Sequence, residues 1–188
     1  ENTVLDSIRG RLLTDLASCY MIEGDIREAT SQYLTALDAT SKSGDSEAYL
    51  TNCSSLGVAY RRMNLPDSAL YYYGKGLEAA MKSKDYSAVS NLHANIAVMY
   101  ISFKQLENAK EHAQEAITYA LKEEDALDWL QAYYICGSLL VKTGEYDQAI
   151  NYLHKAYGIA SQQQSPRFRL KVLSALLPAF QATAQDDS

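Results

Sequence analysis

The sequence repeats with a period of 40 residues, and its register holds over four copies without an insertion. A small residue recurs at this period, at Ala17, Gly57, Ala97 and Gly137. Four more columns keep the same phase: Tyr20, Tyr60, Tyr100 and Leu140; Ala29, Ala69, Ala109 and Ala149; Tyr33, Tyr73, Ala113 and Leu153; and Ala36, Gly76, Ala116 and Ala156. A period of about 20 to 50 residues indicates supersecondary units that stack on one another. The chain should therefore bury its apolar residues between neighbouring units.

Each 40-residue unit carries the pattern of two helices. Its small and large residues are three and four positions apart, which is the spacing of one helix face. Asp25 with Glu28 has the form of a capping box at the start of a helix. A further column suits the N-cap of the following helix and holds Asp45, Asp85, Asp125 and Ser165. The low counts of Gly and Pro, 9 and 3 in 188 residues, also favour helices over a β-sandwich.

The order of these residues resembles the tetratricopeptide repeat (TPR) family. The second copy carries the motif most fully, at Leu56, Gly57, Tyr60, Ala69, Tyr73 and Gly76. The resemblance covers about residues 4–162 and implies an all-α fold, the α–α superhelix of a TPR solenoid, over a single domain of residues 1–188. The period of 40 residues exceeds the usual value of about 34. The chain is in this respect similar to long-helix TPR regions of scaffolds and of sensor portions of bacterial signalling proteins.

We predict four helix-turn-helix repeats over residues 5–44, 45–84, 85–124 and 125–164, followed by one helix over 165–181. In that helix Leu177 occupies the small-residue column, and Pro178 should break or kink the helix. Two interpretations stay open: a helix that caps the last apolar face, or the first helix of a truncated fifth repeat. Residues 182–188 are expected to fray.

The residues that carry chemistry in enzymes do not form a recognisable constellation. The sequence contains no GxGxxG, GxxxxGK[ST] or GxSxG motif. His93 is expected to be a satisfied core or groove-edge histidine, and no histidine has a second His or Cys one helical turn away. The cysteines, Cys19, Cys53 and Cys136, lack CxxC spacing and fall in columns that we expect to be largely buried. We therefore predict a non-enzymatic protein without cofactor or metal.

The charge balance bears on the class of partner. With 17 Lys and Arg against 23 Asp and Glu the net charge is −6, which disfavours binding to a nucleic-acid backbone. The longest stretch without charged residues, Tyr86–Phe103, contains Asn, His and Ser, so we expect no membrane span. The chain begins with Glu1 rather than Met, from which we expect a part of a longer gene product. A cytoplasmic and a periplasmic location, including one within a larger membrane-anchored protein, both stay open.

The first helix of each repeat lines the concave face in TPR proteins, and the resemblance carries candidate contact residues onto these helices. They are Arg11, Ser18, Ser54, Arg61, Arg62, Asn91, Asn95, Tyr134 and Lys142. The two Asn residues lie four positions apart and suit hydrogen bonds to an extended peptide. The four cations favour an acidic partner. The alternative, that these cations only solubilise helix ends, stays open. The cation and amide set of chaperone-tail clamps in this family is not reproduced.

The leading hypothesis is a protein-interaction scaffold that binds a peptide or helix in its concave groove. Two alternatives stay open: a TPR sensor or regulatory region of a larger bacterial regulator or histidine kinase, and the helical frame of a ligand- or glycan-binding lipoprotein. Association into a homo-oligomer through the terminal repeats is compatible with all three hypotheses.

Overall fold

The structure is a computed structural model that describes residues 3–123 and 125–186, which form nine α-helices joined by short turns. The helices are α1 (Thr3–Glu23), α2 (Ile26–Ser43), α3 (Ser46–Arg62), α4 (Pro66–Ser83), α5 (Tyr86–Ser102), α6 (Leu106–Ala120), α7 (Ala126–Thr143), α8 (Tyr146–Gln162) and α9 (Pro166–Asp186). No strand occurs in these two ranges. The predicted all-α fold is confirmed.

The chain divides into two compact units, Glu1–Ala88 and Val89–Ser188. In the first unit α1 packs on α2, α3 packs on α4, and α3 also contacts both α1 and α2. In the second unit α7 contacts α6, α8 and α9, and α9 also packs on α8. In each unit, therefore, the first helix of a repeat (α3 or α7) contacts the second helix of the same repeat and the second helix of the preceding repeat. It also contacts the first helix of an adjacent repeat (α1 or α9).

The helix ends recur every 20 residues and share a left-handed backbone conformation. Positive φ angles of 51 to 92° occur at Gly24, Gly44, Asn64, Lys84, Lys104, Gly144 and Gln164. Position 124, which would continue this series, lies outside the described residues. A left-handed residue reverses the chain after a helix, and side-chain-bearing residues adopt it at a cost of about 1 kcal/mol. Two such reversals per period divide each repeat into two helices of similar length.

The predicted N-cap column is confirmed at three of its positions. The Asp45 carboxylate accepts a hydrogen bond from Ala48 N at 3.2 Å, and Asp85 accepts one from Ala88 N at 2.9 Å. The Asp125 carboxylate accepts one from Leu127 N at 2.7 Å. These bonds satisfy amide donors that have no partner inside the helix.

The capping box predicted at Asp25 is wrong, because the Asp25 side chain makes no capping hydrogen bond to α2. Backbone hydrogen bonds stabilise this turn instead. Asp25 N donates to Tyr20 O at 2.9 Å, and Ile26 N donates to Gly24 O at 2.9 Å.

The small-residue column marks the place where the two helices of one repeat cross. A Cβ atom added to Gly57 would lie 2.2 Å from Tyr73 Cε1, and one added to Gly137 would lie 2.6 Å from Leu153 Cγ. Tyr73 and Leu153 belong to the repeating column 16 residues later. Large side chains of the second helix therefore lie directly on the backbone of the first helix. Such close packing requires a small residue at the crossing position of the first helix.

The last helix bears on the expectation that Pro178 breaks or kinks it. The helix does not break at Pro178, because α9 continues through this residue to Asp186. Proline removes only one backbone donor, and Ala179, which follows it, is fully buried. The helix extends five residues beyond its predicted end at 181; of the segment predicted to fray, residues 187–188 lie outside the described residues.

The cysteines divide into two buried residues and one exposed residue. Burial raises the pKa of Cys53 and of Cys136 to about 11, as expected for thiols inside an apolar core. The predicted burial of Cys19 is wrong, because this side chain is exposed on α1. Its equivalents one and three periods later, Ala59 and Leu139, are fully buried. Each of those helices packs on a helix that precedes it in its unit, whereas α1 is the first helix of residues 3–123.

Two histidines from α5 and α6 form a hydrogen-bonded pair. His93 Nδ1 and His112 Nδ1 are 2.9 Å apart, so that one ring donates to the other. Tyr119 stacks on the His93 ring at 5.8 Å, and Tyr100 stacks on the His112 ring at 5.5 Å. The expectation of a satisfied His93 is confirmed, whereas its pairing with His112 was not predicted.

The environment of this pair favours neutral rings. Burial, followed by the nearby His112, lowers the pKa of His93 to about 4. Burial also lowers the pKa of His112, against the opposing effect of Glu111 and Glu115. Both groups have lower pKa values than in the unfolded chain, so that the unfolded state binds protons first as the pH falls.

We predict that replacing Gly57 with Ala destabilises the protein by about 1–3 kcal/mol, because the new methyl group overlaps the buried Tyr73 ring. Gly74→Ala is the matched control, since an added Cβ at this exposed helical position meets no atom within 4 Å. This control should stabilise the helix by about 0.5–1 kcal/mol. Urea unfolding of the three proteins measures both changes. Equal free energies of unfolding for Gly57→Ala and the wild type would contradict the crossing geometry.

We predict that the histidine pair makes the fold sensitive to acid. The contribution of the neutral pair to the free energy of unfolding should be fully present above the ordinary histidine pKa of 6.5. It should decrease as the pH drops from there toward 4. His93→Phe keeps a ring against Tyr119 but cannot bind a proton, so its free energy of unfolding should fall less over this range. The exposed residue His154, changed to Gln, serves as the control. Urea unfolding at a series of pH values tests the prediction, and identical pH profiles for His93→Phe and the wild type would refute it.

Candidate functional site

Arg11 on α1 is held by acidic groups at the start of α3. Its Nε donates to Asp45 Oδ2 at 2.8 Å, and its Nη2 lies 3.4 Å from Glu47 Oε2. The Ser7 hydroxyl donates to the same Asp45 oxygen at 2.6 Å. Hydrogen bonds from Arg11 and Ser7 hold the pKa of Asp45 well below its usual range, and the pKa of Arg11 is raised in return. This predicted site residue thus joins two first helices through the N-cap of α3.

A second polar contact between α1 and α3 is buried. Thr14 Oγ1 lies 2.9 Å from Asn52 Oδ1, and Asn52 Nδ2 donates to Ala48 O at 2.8 Å. Both side chains are buried. Ser18, one turn further along α1, is half-buried and lies 3.0 Å from the Tyr33 hydroxyl. Sequence reasoning did not select Asn52; its signal is an amide in a column that elsewhere holds Leu12, Leu92 and Ala132.

A cavity of about 250 Å³ opens between α1 and α3 beside these contacts. Its walls are formed by Arg11, Thr14, Asp15, Glu47, Ala48 and Thr51. Apart from Ala48 all of these side chains are polar or charged.

The C-terminal end of α3 carries the remaining predicted residues of the first unit. Arg62 is exposed, and its Nη1 donates to Met21 O at 3.0 Å on α1. Arg61 is half-buried and lowers the pKa of Tyr73, which burial raises to about 12. Ser54 lies two turns earlier on the same helix and is half-buried. Two arginines therefore occupy the last turn of α3, Arg61 next to Tyr73 and Arg62 next to α1.

In the second unit the predicted Asn91 holds a buried carboxylate that sequence reasoning missed. Asn91 Nδ2 donates to Asp128 Oδ1 at 2.8 Å. The Asp128 residue is 6% exposed, and its Oδ2 has no hydrogen-bond partner within the described part of the chain. The carboxylate lies in the first turn of α7, where the helix dipole stabilises a negative charge. The signal in the sequence is an acid in a column that holds Ala48 and Ala88 in earlier repeats.

The other predicted residues of the second unit have different environments. Asn95 is half-buried on α5, one turn after Asn91. Tyr134 is partly buried and packs on the core around Leu130 and Leu153, so that much of its ring serves packing. Lys142 is exposed in the last turn of α7, where a cation complements the helix dipole.

Two further properties concern metals and membranes. Residues 3–123 and 125–186 contain no group of three or more His, Cys, Asp and Glu side chains arranged to hold a metal ion. Over the same ranges, every helix is too short or too polar to cross a lipid bilayer.

Comparison with solved structures finds the same fold in other proteins. The chain superposes on BtubC (BKLC) from P. vanneervenii with a TM-score of 0.70, 20% identity and coverage of 83% of this chain and 65% of that chain. Aspartyl phosphate phosphatase F from Bacillus subtilis gives a TM-score of 0.81 at 14% identity, covering 96% and 50% of the two chains. A Podosopora anserina putative kinesin light chain with nearly identical TPR-like repeats gives 0.73 at 18% identity, covering 96% and 89%.

These structures share the fold at low sequence identity. The chain spans 65% of the length of the first and 50% of the second. No curated protein matches the sequence.

The family follows from models of the repeat itself. Two family models, both described as tetratricopeptide repeat, match the sequence. One covers residues 9–82, and the other covers residues 90–123 and 130–163. Together they account for more than half of the chain, and the expected all-α superhelical fold class is the one that the matched structures share. The chain therefore belongs to the tetratricopeptide repeat family.

Proposed function

We propose that this chain is a non-enzymatic scaffold that binds a peptide or a helix along the first helices of its repeats. The tetratricopeptide repeat architecture supports a helical-repeat protein-interaction scaffold. The observation that carries the finer proposal is the set of polar side chains that link neighbouring first helices: Arg11 with Asp45, Thr14 with Asn52, and Asn91 with Asp128.

These contacts support recognition because they hold polar groups in fixed positions before a ligand arrives. An ordered side chain loses less conformational entropy on binding than a mobile one. The amide of Asn91 is held by Asp128, and Asn95 follows one turn later on the same helix. An extended peptide that lies across α5 would offer backbone groups to both amides.

The cations support an acidic partner. Asp45 and Glu47 already neutralise the charge of Arg11, so this residue would add little positive charge to the surface that a ligand meets. Arg62 uses one donor on Met21 O, and its other N–H groups can pair with a carboxylate. In each unit, exposed cations lie near the end of a first helix, Arg62 in α3 and Lys142 in α7. A partner with carboxylates at matching positions would be favoured over a neutral one.

A second candidate function is a sensor or regulatory region of a larger bacterial protein. Its support is the similarity to aspartyl phosphate phosphatase F from Bacillus subtilis, of which the chain spans half the length. In this proposal the helices bind the controlling partner, and the response is produced by another segment. Both candidates therefore need the same binding surface.

We predict that the double variant Arg62→Glu, Asn95→Ala loses peptide binding. A peptide array that compares acidic with neutral sequences provides the measurement. Hydrogen bonds to charged groups contribute about 1.5–3 kcal/mol, so the signal for acidic peptides should fall about tenfold or more. Added salt should also weaken the binding of acidic peptides to the wild type, because it screens the charges.

The matched control is Arg27→Glu, which reverses an exposed charge on the second helix α2. It should leave the array signal unchanged. Circular dichroism checks that both variants keep the helical content of the wild type. Undiminished binding by a folded double variant would rule out the first-helix surface as the site.

A further inference from the structure

A cavity of about 430 Å³ lies in the first unit, where the C-terminal turns of α2 and α4 meet the first turn of α3. Leu50 and Ala79 form an apolar part of its wall, and Thr40, Ser41 and Ser46 contribute hydroxyl groups. Cavities of about 300–1,000 Å³ are of the size that binds small molecules. The cavity lies outside the set of candidate contact residues on the first helices.

The repeat shows what kind of group occupies the corresponding place in the second unit. Trp129 on α7 is the equivalent of Tyr49, two periods later. Its indole Nε1 donates to Ala120 O at 2.7 Å and to Glu123 O at 3.0 Å, at the end of α6. Ala120 is the equivalent of Thr40, which lines the cavity. An indole ring therefore packs against the end of a second helix at the position where the first unit has a cavity.

Tyr49 leaves this space open because its side chain takes a different direction. Burial, followed by Cys53 on the same helix, raises the pKa of Tyr49, and Lys75 and Glu78 of α4 have smaller effects. The phenol group thus lies toward α4, whereas the indole of Trp129 lies toward the end of α6. Tyr49 forms one wall of the cavity, and the space beside the last turn of α2 is left for another ring.

The charges in the wall of the cavity favour an acidic ligand. Lys82 is the cation among its lining residues, and it is exposed near the end of α4. Asp45 is the lining acid, and its carboxylate already accepts hydrogen bonds from Arg11 and Ser7. The ammonium group of Lys82 is therefore the charge that a ligand meets, and it suits a carboxylate.

We propose that this cavity binds a small indole carboxylate, that is, an indole ring with an acidic substituent. The ring lies against Leu50 and Ala79 beside the end of α2, as the Trp129 ring lies beside the end of α6. Since α2 continues as a helix to Ser43, hydroxyl groups in the wall of the cavity accept the ring N–H in place of opened helix carbonyls. The carboxylate pairs with Lys82, and the peptide surface of the proposed function stays unoccupied.

The first test compares three ligands by isothermal titration calorimetry with the complete chain. N-acetyltryptophan supplies both the indole and the carboxylate, N-acetyltryptophanamide lacks the charge, and N-acetylphenylalanine lacks the indole. The first compound should bind most tightly. An exposed ion pair contributes about 0.2–1 kcal/mol, so its affinity should exceed that of the amide by about two- to fivefold. Absence of binding at millimolar N-acetyltryptophan would overturn the proposal.

Two variants place a ring in the cavity and should abolish binding. Tyr49→Trp introduces the side chain that the second unit carries at this position. Ser41→Trp introduces an indole from an exposed position of α2, so it keeps the test decisive if the first variant fails to fold. Circular dichroism shows which variants are folded. Unchanged affinity for N-acetyltryptophan in a folded variant would refute the location of the site.

The role of Lys82 is tested by Lys82→Gln. This change should reduce the affinity for N-acetyltryptophan to that of the amide and leave the affinity for the amide unchanged, whereas a merely structural role would change both. The matched control is Lys84→Gln, which removes an exposed cation outside the cavity; Gln164 shows that Gln adopts the same left-handed conformation. Equal losses in the two variants would contradict the ion pair.

A final arm distinguishes a small molecule from a tryptophan side chain of a protein partner. A blocked peptide with tryptophan in its centre and no acidic residue carries the ring without a nearby carboxylate. This peptide should bind more weakly than N-acetyltryptophan. Tighter binding of the peptide, lost in Ser41→Trp, would overturn the assignment to a small acid. The double variant Arg62→Glu, Asn95→Ala should bind N-acetyltryptophan like the wild type, so the two sites are tested separately.

Discussion

The close crossing of the two helices in each repeat is the constraint on which the rest of the structure depends. At Gly57 the backbone of α3 lies against the Tyr73 ring, and at Gly137 the backbone of α7 lies against Leu153. Each crossing fixes the distance and rotation of a helix pair. The rotation then decides which columns of the first helix face its partner helices and which carry polar contacts to the neighbouring first helix.

The polar contacts between first helices follow from this geometry. Thr14 reaches Asn52, which is 38 residues later, and Asn91 reaches Asp128, which is 37 residues later. Both pairs therefore join nearly equivalent positions of successive repeats, one pair in each unit. The residues differ in chemistry although their positions correspond, so the two units offer different polar groups on a similar framework. In the function that we propose, recognition would therefore depend on which residues occupy a few columns.

The sequence predicted what recurs in every repeat and missed what occurs once. The small residues, the N-cap acids and the crossing partners are repeated, so each copy supports the same interpretation. Asn52, Asp128 and the pair of His93 with His112 stand in columns where the other repeats have different residues, and their partners are far away in the sequence. Cys19 was misjudged for a related reason, since its column is buried only where a preceding helix covers it.

The distribution of exposed apolar residues follows from the same rule. Leu16 on α1 is 44% exposed, whereas its equivalents Leu56 and Ile96 are buried, so the exposure of this column depends on which helices pack against it. Val172 and Leu176 are buried on one side of α9 while Leu173 and Leu177 are exposed on the other. A helix that is apolar on two sides is suited to lie between two others.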